Sequence, residues 1–393
     1  MQIEDLDIDD LLSGQPPSNS ELLVRMTLGR DRWLNRIRDH YLANYIADGG
    51  SKVKVLVGGP GTGKTHLLEG VLLDAQALGY ETVYLSAQEY RLNDLPSLYR
   101  AIVKQLNTEQ LVQGLCCHVA KKLGYGQYDG TDNLLPLLYE DRGLTRDLAI
   151  REVKEAAGLA LKDVDFGPSF KAFAYTVINS RLIYGNEETV RLALKWLGGE
   201  RLERHQKQST NLFERLQKVN ARYWLNSLIR LLKLAGITGL VVAIDDLEVM
   251  AGRNSETRRF FYTPNAIKDT CELFRQMIDD GELLDHFLLL LAGRQEMVED
   301  DKRGFKSYEA LWMRLQTGII PTDKFNPLAD IVDTDSHLVA HGKDFPDQIQ
   351  AKLRQLLREA GLEVHDRELP DLSEYSHLRA RIIEVAMMVL EAG

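Results

Sequence analysis

Apolar positions along the chain fall into two patterns. Short runs rich in apolar and β-branched residues occur at 53–57, 81–85, 239–245 and 287–292. Between them, apolar residues recur at spacings of three and four. Leu34, Ile37, Tyr41 and Tyr45 form one such series, and Leu95, Leu98, Ile102 and Leu106 another. The first pattern predicts strands buried on both faces, the second predicts amphipathic helices. A fifth strand is expected within 318–325. Strands separated by helices imply a parallel sheet covered on both sides, an α/β fold.

The second and third strands lie about 150 residues apart. One crossover helix needs far less, so the gap is expected to hold an inserted helical subdomain. Phe170, Phe173, Ala174, Val177 and Ile178 follow helical spacing there. Leu212, Leu216, Val219 and Tyr223 follow it more loosely, continuing to Leu231, Leu232 and Ala235.

Composition narrows the class. The 393 residues carry 48 Lys and Arg against 58 Asp and Glu, a net −10, with 44% hydrophobic residues. That excludes a disordered chain, a collagen and a uniformly basic nucleic-acid binder. Cys116, Cys117 and Cys271 lack metal-site spacing, so free thiols are expected. No basic segment followed by an apolar run opens the sequence, so no secretory signal is expected. The longest apolar run, 287–292, falls well short of the ~20 residues of a membrane span. A cytoplasmic protein is the expectation.

The strand at 53–57 runs into Gly58-Gly59-Pro60-Gly61-Thr62-Gly63-Lys64-Thr65, with His66 next and a helix expected from about residue 65. This is G-x-x-x-x-G-K-T, the Walker A motif, in a strand–loop–helix setting. Glycines let backbone N–H groups approach phosphate oxygens, and the helix N-terminus adds positive charge. Residues 58–66 are therefore the candidate nucleotide-binding residues. Lys64 is expected on the β- and γ-phosphates of ATP, and the Thr65 hydroxyl on Mg²⁺.

The strand Leu240-Val241-Val242-Ala243-Ile244 ends in Asp245-Asp246, followed by Leu247-Glu248. A carboxylate at the C-terminal end of an apolar strand is the Walker B pattern. Asp245 is the candidate for the Mg²⁺ shell. The next position commonly carries Glu to polarise water. Three readings stay open: Asp246 is the base, Glu248 replaces it, or hydrolysis is slow. Arg294 ends the fourth strand and is a candidate catalytic cation, the alternative being an ion pair with Glu296 or Glu299. Arg30, in a Gly-Arg-Asp box ahead of the first strand, is a further nucleotide-binding candidate. Arg253, Arg258 and Arg259 stay open between an arginine finger and surface charge.

These features resemble an additional-strand P-loop ATPase near the AAA+, origin-recognition and STAND groups. A narrower resemblance covers most of the chain, to the BREX-system ATP-binding protein family of the BrxC/BrxD type, associated with bacterial phage defence. It is carried by Leu98-Tyr99-Arg100, by Trp196-Leu197-Gly198-Gly199-Glu200 and by residues 228–248. Ala292-Gly293-Arg294 and Gly304-Phe305-Lys306-Ser307-Tyr308-Glu309-Ala310-Leu311, with Arg314 beyond, complete it. The departures are Asp246 where the family tends to have Glu and Arg294 where it tends to have Thr.

The resemblance implies an AAA+/STAND-like fold with a five-stranded parallel sheet. The expected division is an acidic mobile arm at 1–20 and an ATPase domain at 21–108 and 237–326. A helical insertion occupies 109–236 and a small helical segment 327–393. The implied function is an ATPase acting as motor or switch with defence-system partners. The alternative is a nucleotide-dependent scaffold with little turnover, and a small-molecule kinase lacks a visible acceptor site. A homo-oligomer is compatible with either.

One stretch runs against the overall charge. Residues 191–233 hold ten basic and three acidic residues, a net +7. Arg215, Lys218 and Arg222 fall near one face if the stretch is helical. Trp196, Phe213, Tyr223 and Trp224 are interleaved. The pattern fits a DNA or acidic-partner contact, or a solvated helix over core aromatics.

Overall fold

The structure is a computed structural model describing residues 8–279, 281, 283–316, 326–362, 364 and 371–389. Five parallel strands form one sheet: β1 (Ser51–Val57), β2 (Glu81–Ser86), β3 (Leu240–Asp245), β4 (Phe287–Gly293) and β5 (Ile331–Asp333). Their spatial order is β2-β3-β4-β1-β5. The expected strand at 318–325 lies outside the described residues, and the fifth strand described comes just after it. Part of the segment expected to be a helical tail therefore completes the sheet.

Side chains alternate between two cores, as a pleated strand requires. Val53, Val55 and Val57 of β1 face the larger core with Val242, Ile244, Leu289 and Leu291. Leu56, Val241, Ala243, Leu288 and Leu290 face the smaller one. There the Lys64–Ala77 helix packs with Leu67, Leu68, Val71 and Leu72.

Lys54 breaks the apolar run of β1 yet is fully buried. Its Nζ donates to the carbonyls of Leu328 (3.2 Å) and Ala329 (2.8 Å). Burial pushes its pKa down to about 7. The ammonium thereby ties the turn before β5 to the sheet.

The insertion between β2 and β3 is helical and shares the larger core. Phe170, Phe173, Trp196 and Trp224 pack together, with the two indoles 4.5 Å apart. The expected long helical stripe is not formed. Residues 212–220 are non-helical, and the next helix begins at Ala221 (Ala221–Leu234). Leu212 and Leu216 satisfy an extended alternation as well as a helical one, since four residues is two strand repeats and about one helical turn.

The acidic arm expected at 1–20 is partly built into the fold. Ile8–Ser13 is a helix with Leu11 buried, and Asn19 caps the Ser20–Met26 helix. Leu11, Leu22 and Met26 pack against Leu353, Leu356 and Leu357 of the Phe345–Glu359 helix, with Val385 and Ala386 of His377–Val389. Apolar residues at 8, 11 and 12 outweigh the acids between them. No helix among the described residues is long and apolar enough to cross a membrane.

Candidate functional site

Strand register brings the chemistry to one edge. Val57 pairs with Gly293 and with Asp333, and Ser86 with Asp245. The loop at 58–65, Asp245, Arg294 and Asp335 thus gather at the carboxyl ends of the strands, where open α/β sheets bind ligands.

Gly61 and Gly63 sit at φ +72° and +88°, a region costly for residues with a Cβ. Gly63 caps the Lys64–Ala77 helix without a side-chain bond, which leaves first-turn N–H groups for an anion. Lys64 Nζ donates to the carbonyls of Gly58 (3.0 Å) and Gly59 (2.7 Å). Partial burial lowers its pKa, opposed by Glu248, Asp245 and Asp335.

Thr65 Oγ1 donates to Asp245 Oδ2 at 2.6 Å, and Tyr84 donates its hydroxyl to the same oxygen at 3.1 Å. A hydroxyl and a carboxylate side by side are hard oxygen donors. Mg²⁺ takes one or two such ligands and otherwise water and phosphate, so these residues fit it. Among the described residues no larger cluster of metal-ligating side chains forms.

The two candidate bases differ in environment. Asp246 has a left-handed backbone, φ 61°. Its N–H donates to Asp245 Oδ1 (2.8 Å) and its Oδ2 accepts from Ser86 Oγ (2.6 Å). Glu248 Oε2 is buried with no hydrogen-bond partner, and burial raises the pKa of this carboxyl. Arg294 Nε lies 3.6 Å from Glu248 Oε1. Arg294 thus faces the second motif; no ion pair joins it to Glu296 or Glu299 among the described residues.

These groups line one cavity of about 280 Å³, together with residues 60–67. Its other wall comes from distant sequence: Met26 and Leu28 from near the start, and Leu338, Phe345, Ile349 and Ile382 from near the end. The later segment grips the loop directly. Asp335 accepts from the Gly59 N–H (2.9 Å), Thr334 Oγ1 lies 2.6 Å from Thr62 Oγ1, and Ser376 Oγ donates to the Gly61 carbonyl (2.9 Å). Arg379 lines the cavity and donates to the Ser13 carbonyl.

His66 also lines the cavity, 2.8 Å from Thr27 Oγ1. Desolvation, helped by the Arg30 charge, pushes it down to about 4. Arg30 itself is elsewhere: its Nη2 donates to both oxygens of Asp74 (2.7 and 2.6 Å), and it does not line the cavity. Arg253 stacks on Phe260 with Arg303. Arg258 and Arg259 share its exposed loop, away from the cavity.

Sequence reasoning missed the wall at 334–382. Only Asp333-Thr334-Asp335, ending a short apolar strand as Asp245 ends β3, offered a signal. The expected basic face is divided: Arg215, Lys218 and Arg222 share no helix, and Lys218 approaches Asp94 at 4.0 Å. Trp196 and Trp224 are buried, while Phe213 is 58% exposed. All three cysteines are free; burial pushes Cys116 and Cys271 up to about 12.

The segment carrying the narrower resemblance is structural. Phe305 is buried against Phe274, Tyr308 donates to Glu272, and Arg314 binds Asp279. No curated protein and no solved structure matches the chain. The family model for the BREX system ATP-binding protein BrxC/D matches residues 8–334. Spanning the sheet, the loop, the insertion and β5, that match makes the chain a member of the BREX system ATP-binding protein BrxC/D family.

Proposed function

We propose that the chain is a Mg²⁺-dependent ATPase whose nucleotide state switches its contacts with other components of a bacterial phage-defence system. The observation that carries this reading is the convergence of Lys64, Thr65, Asp245 and the unpartnered Glu248 oxygen on one cavity. Placement of β4 between β1 and β3 supports an additional-strand, AAA+/STAND-like class.

In this reading the N–H groups of residues 61–65 cradle the phosphates. Lys64 leaves the Gly58 and Gly59 carbonyls for the β- and γ-phosphates. Thr65 and Asp245 would hold the Mg²⁺, which when bound would supply charge neutralisation on the phosphate oxygens. Glu248 accepts the proton of the attacking water, its raised pKa bringing it nearer neutrality. Arg294 and Arg379 offset developing charge. The apolar wall of Met26, Leu338 and Phe345 takes the purine. Displacing Asp335 and Ser376 from the loop transmits the event to the later helices. The action is set in the cytoplasm, with the protein alone or as a homo-oligomer.

A second reading, a scaffold with little turnover, is favoured by the hold of Ser86 on Asp246. ATP binding and turnover of the wild type, Lys64→Ala and Asp245→Ala test both. Loss of turnover in both variants supports the ATPase. Equal rates in all three remove it, and binding without turnover in the wild type selects the scaffold.

A further inference from the structure

The insertion carries a concave surface of about 650 Å³ that the nucleotide cavity does not use. It is lined by Arg201, Arg204, Lys207, Arg215 and Phe213, with Glu203 as its carboxylate. Glu203 is occupied in capping: it bonds reciprocally with Gln206 at the start of the Arg204–Thr210 helix and lies 3.3 Å from His205. None of the four cations forms an ion pair among the described residues. Four cations thus share the surface with one carboxylate, which leaves it strongly positive. Desolvation, then Arg215 and Arg201, lower the pKa of Lys207.

The surface is ordered by its own backbone. Leu212 and Leu216 are buried, and Glu214 turns inward. The Glu214 carbonyl accepts from the Trp196 indole (2.7 Å) and its carboxylate from Asn220 (2.9 Å). With residues 212, 214 and 216 anchored, the alternation of extended chain sends Phe213 and Arg215 outward. An aromatic ring is therefore fixed in solvent beside four cations. A duplex hides its base faces, whereas a single strand offers both phosphates and open base faces.

We propose that this surface binds single-stranded nucleic acid, holding phosphates on Arg201, Arg204, Lys207 and Arg215 and stacking a base on Phe213. It relocates the expected contact from a helix stripe to a concavity. It is independent of whether ATP is hydrolysed.

Fluorescence anisotropy with labelled oligothymidylate and oligouridylate, with no nucleotide present, tests it on the full chain. Affinity should fall with salt. The double substitution Arg204→Ala, Lys207→Ala should shrink the log–log salt slope by about 1.4, from about 0.7 per phosphate contact on single strands. Phe213→Ala should weaken binding about 5- to 150-fold, matching about 1–3 kcal/mol per stacked base, with the slope unchanged. Phe213→Trp should restore it. These side chains lie outside the core, so circular dichroism should stay unchanged.

The relative affinity of the two oligonucleotides separates a DNA-type from an RNA-type ligand, and binding of either supports the site. Absence of binding at low salt overturns the proposal, as does an unchanged slope in the double variant. Equal displacement by polyglutamate also overturns it, in favour of an acidic protein partner. Lys64→Ala should bind the oligonucleotide as the wild type does, so failure of this site and failure of the ATPase reading are distinguishable.

Discussion

Asp246 illustrates how one backbone angle constrains chemistry. Its φ of 61° suits Asp, whose short side chain reaches local partners, better than Glu. Ser86 then holds one of its two carboxylate oxygens. Asp246→Glu should therefore give no gain in turnover. Glu248→Gln should lower kcat by about 10²–10⁴, the usual worth of a general base, with ATP binding retained. Steady-state turnover of the two variants checks this: a large gain from Asp246→Glu, or an unaffected Glu248→Gln, would return the base to Asp246. The sequence showed both acids but not that one is held by a hydroxyl and the other has a buried unpartnered oxygen, since Ser86 lies 160 positions before Asp246. Arg30 was misplaced for the same reason: the Gly-Arg-Asp box was visible, its partner Asp74 was not.

Elements were legible in proportion to the length of their pattern. β3 and β4 are buried on both faces, so each reads as a continuous run, and β1 does so from Val55 after the interruption at Lys54. β5 has three residues, too few for any period. The 212–216 segment misled because its spacing of four fits two geometries. The segments that close the cavity carry a prediction. His66 stands on the loop helix and His337 on Thr334–His341, beside His341 and facing the Arg32 charge. Burial pushes both down to about 4 from 6.5. Between those values the unfolded chain binds protons that the folded chain refuses. Stability is thus present above about pH 6.5 and drains as pH falls towards 4. Melting temperature against pH should show this loss, and His337→Gln should make it shallower while the His66 share remains. A parallel decline in the variant would assign the loss to other groups.

At the scale of the whole molecule, the sheet's two faces have unequal tasks. One core holds the loop helix and the other is continuous with the insertion, so the nucleotide edge and the basic concavity stand on one scaffold. The charge asymmetry, net −10 with a +7 stretch, was legible from counting. The concavity was not, because it needs an extended segment beside a short helix. The same scale sets a prediction about assembly. The nucleotide cavity is walled by residues near 14–28 and near 337–382. ATP should therefore speed late refolding, read as the rate at which amides in the Phe345–Glu359 helix become protected from hydrogen exchange. Equal rates with and without ATP would remove that coupling.

The grip of Ser376 on Gly61 has a consequence in time. The two residues are separated by about 315 positions, and synthesis proceeds at about 5–20 residues per second. The phosphate loop therefore leaves the ribosome roughly 15–60 s before the residue that will fasten it. During that interval the loop meets cellular nucleotide uncovered. A nucleotide bound in that interval would be one onto which the later helices fold.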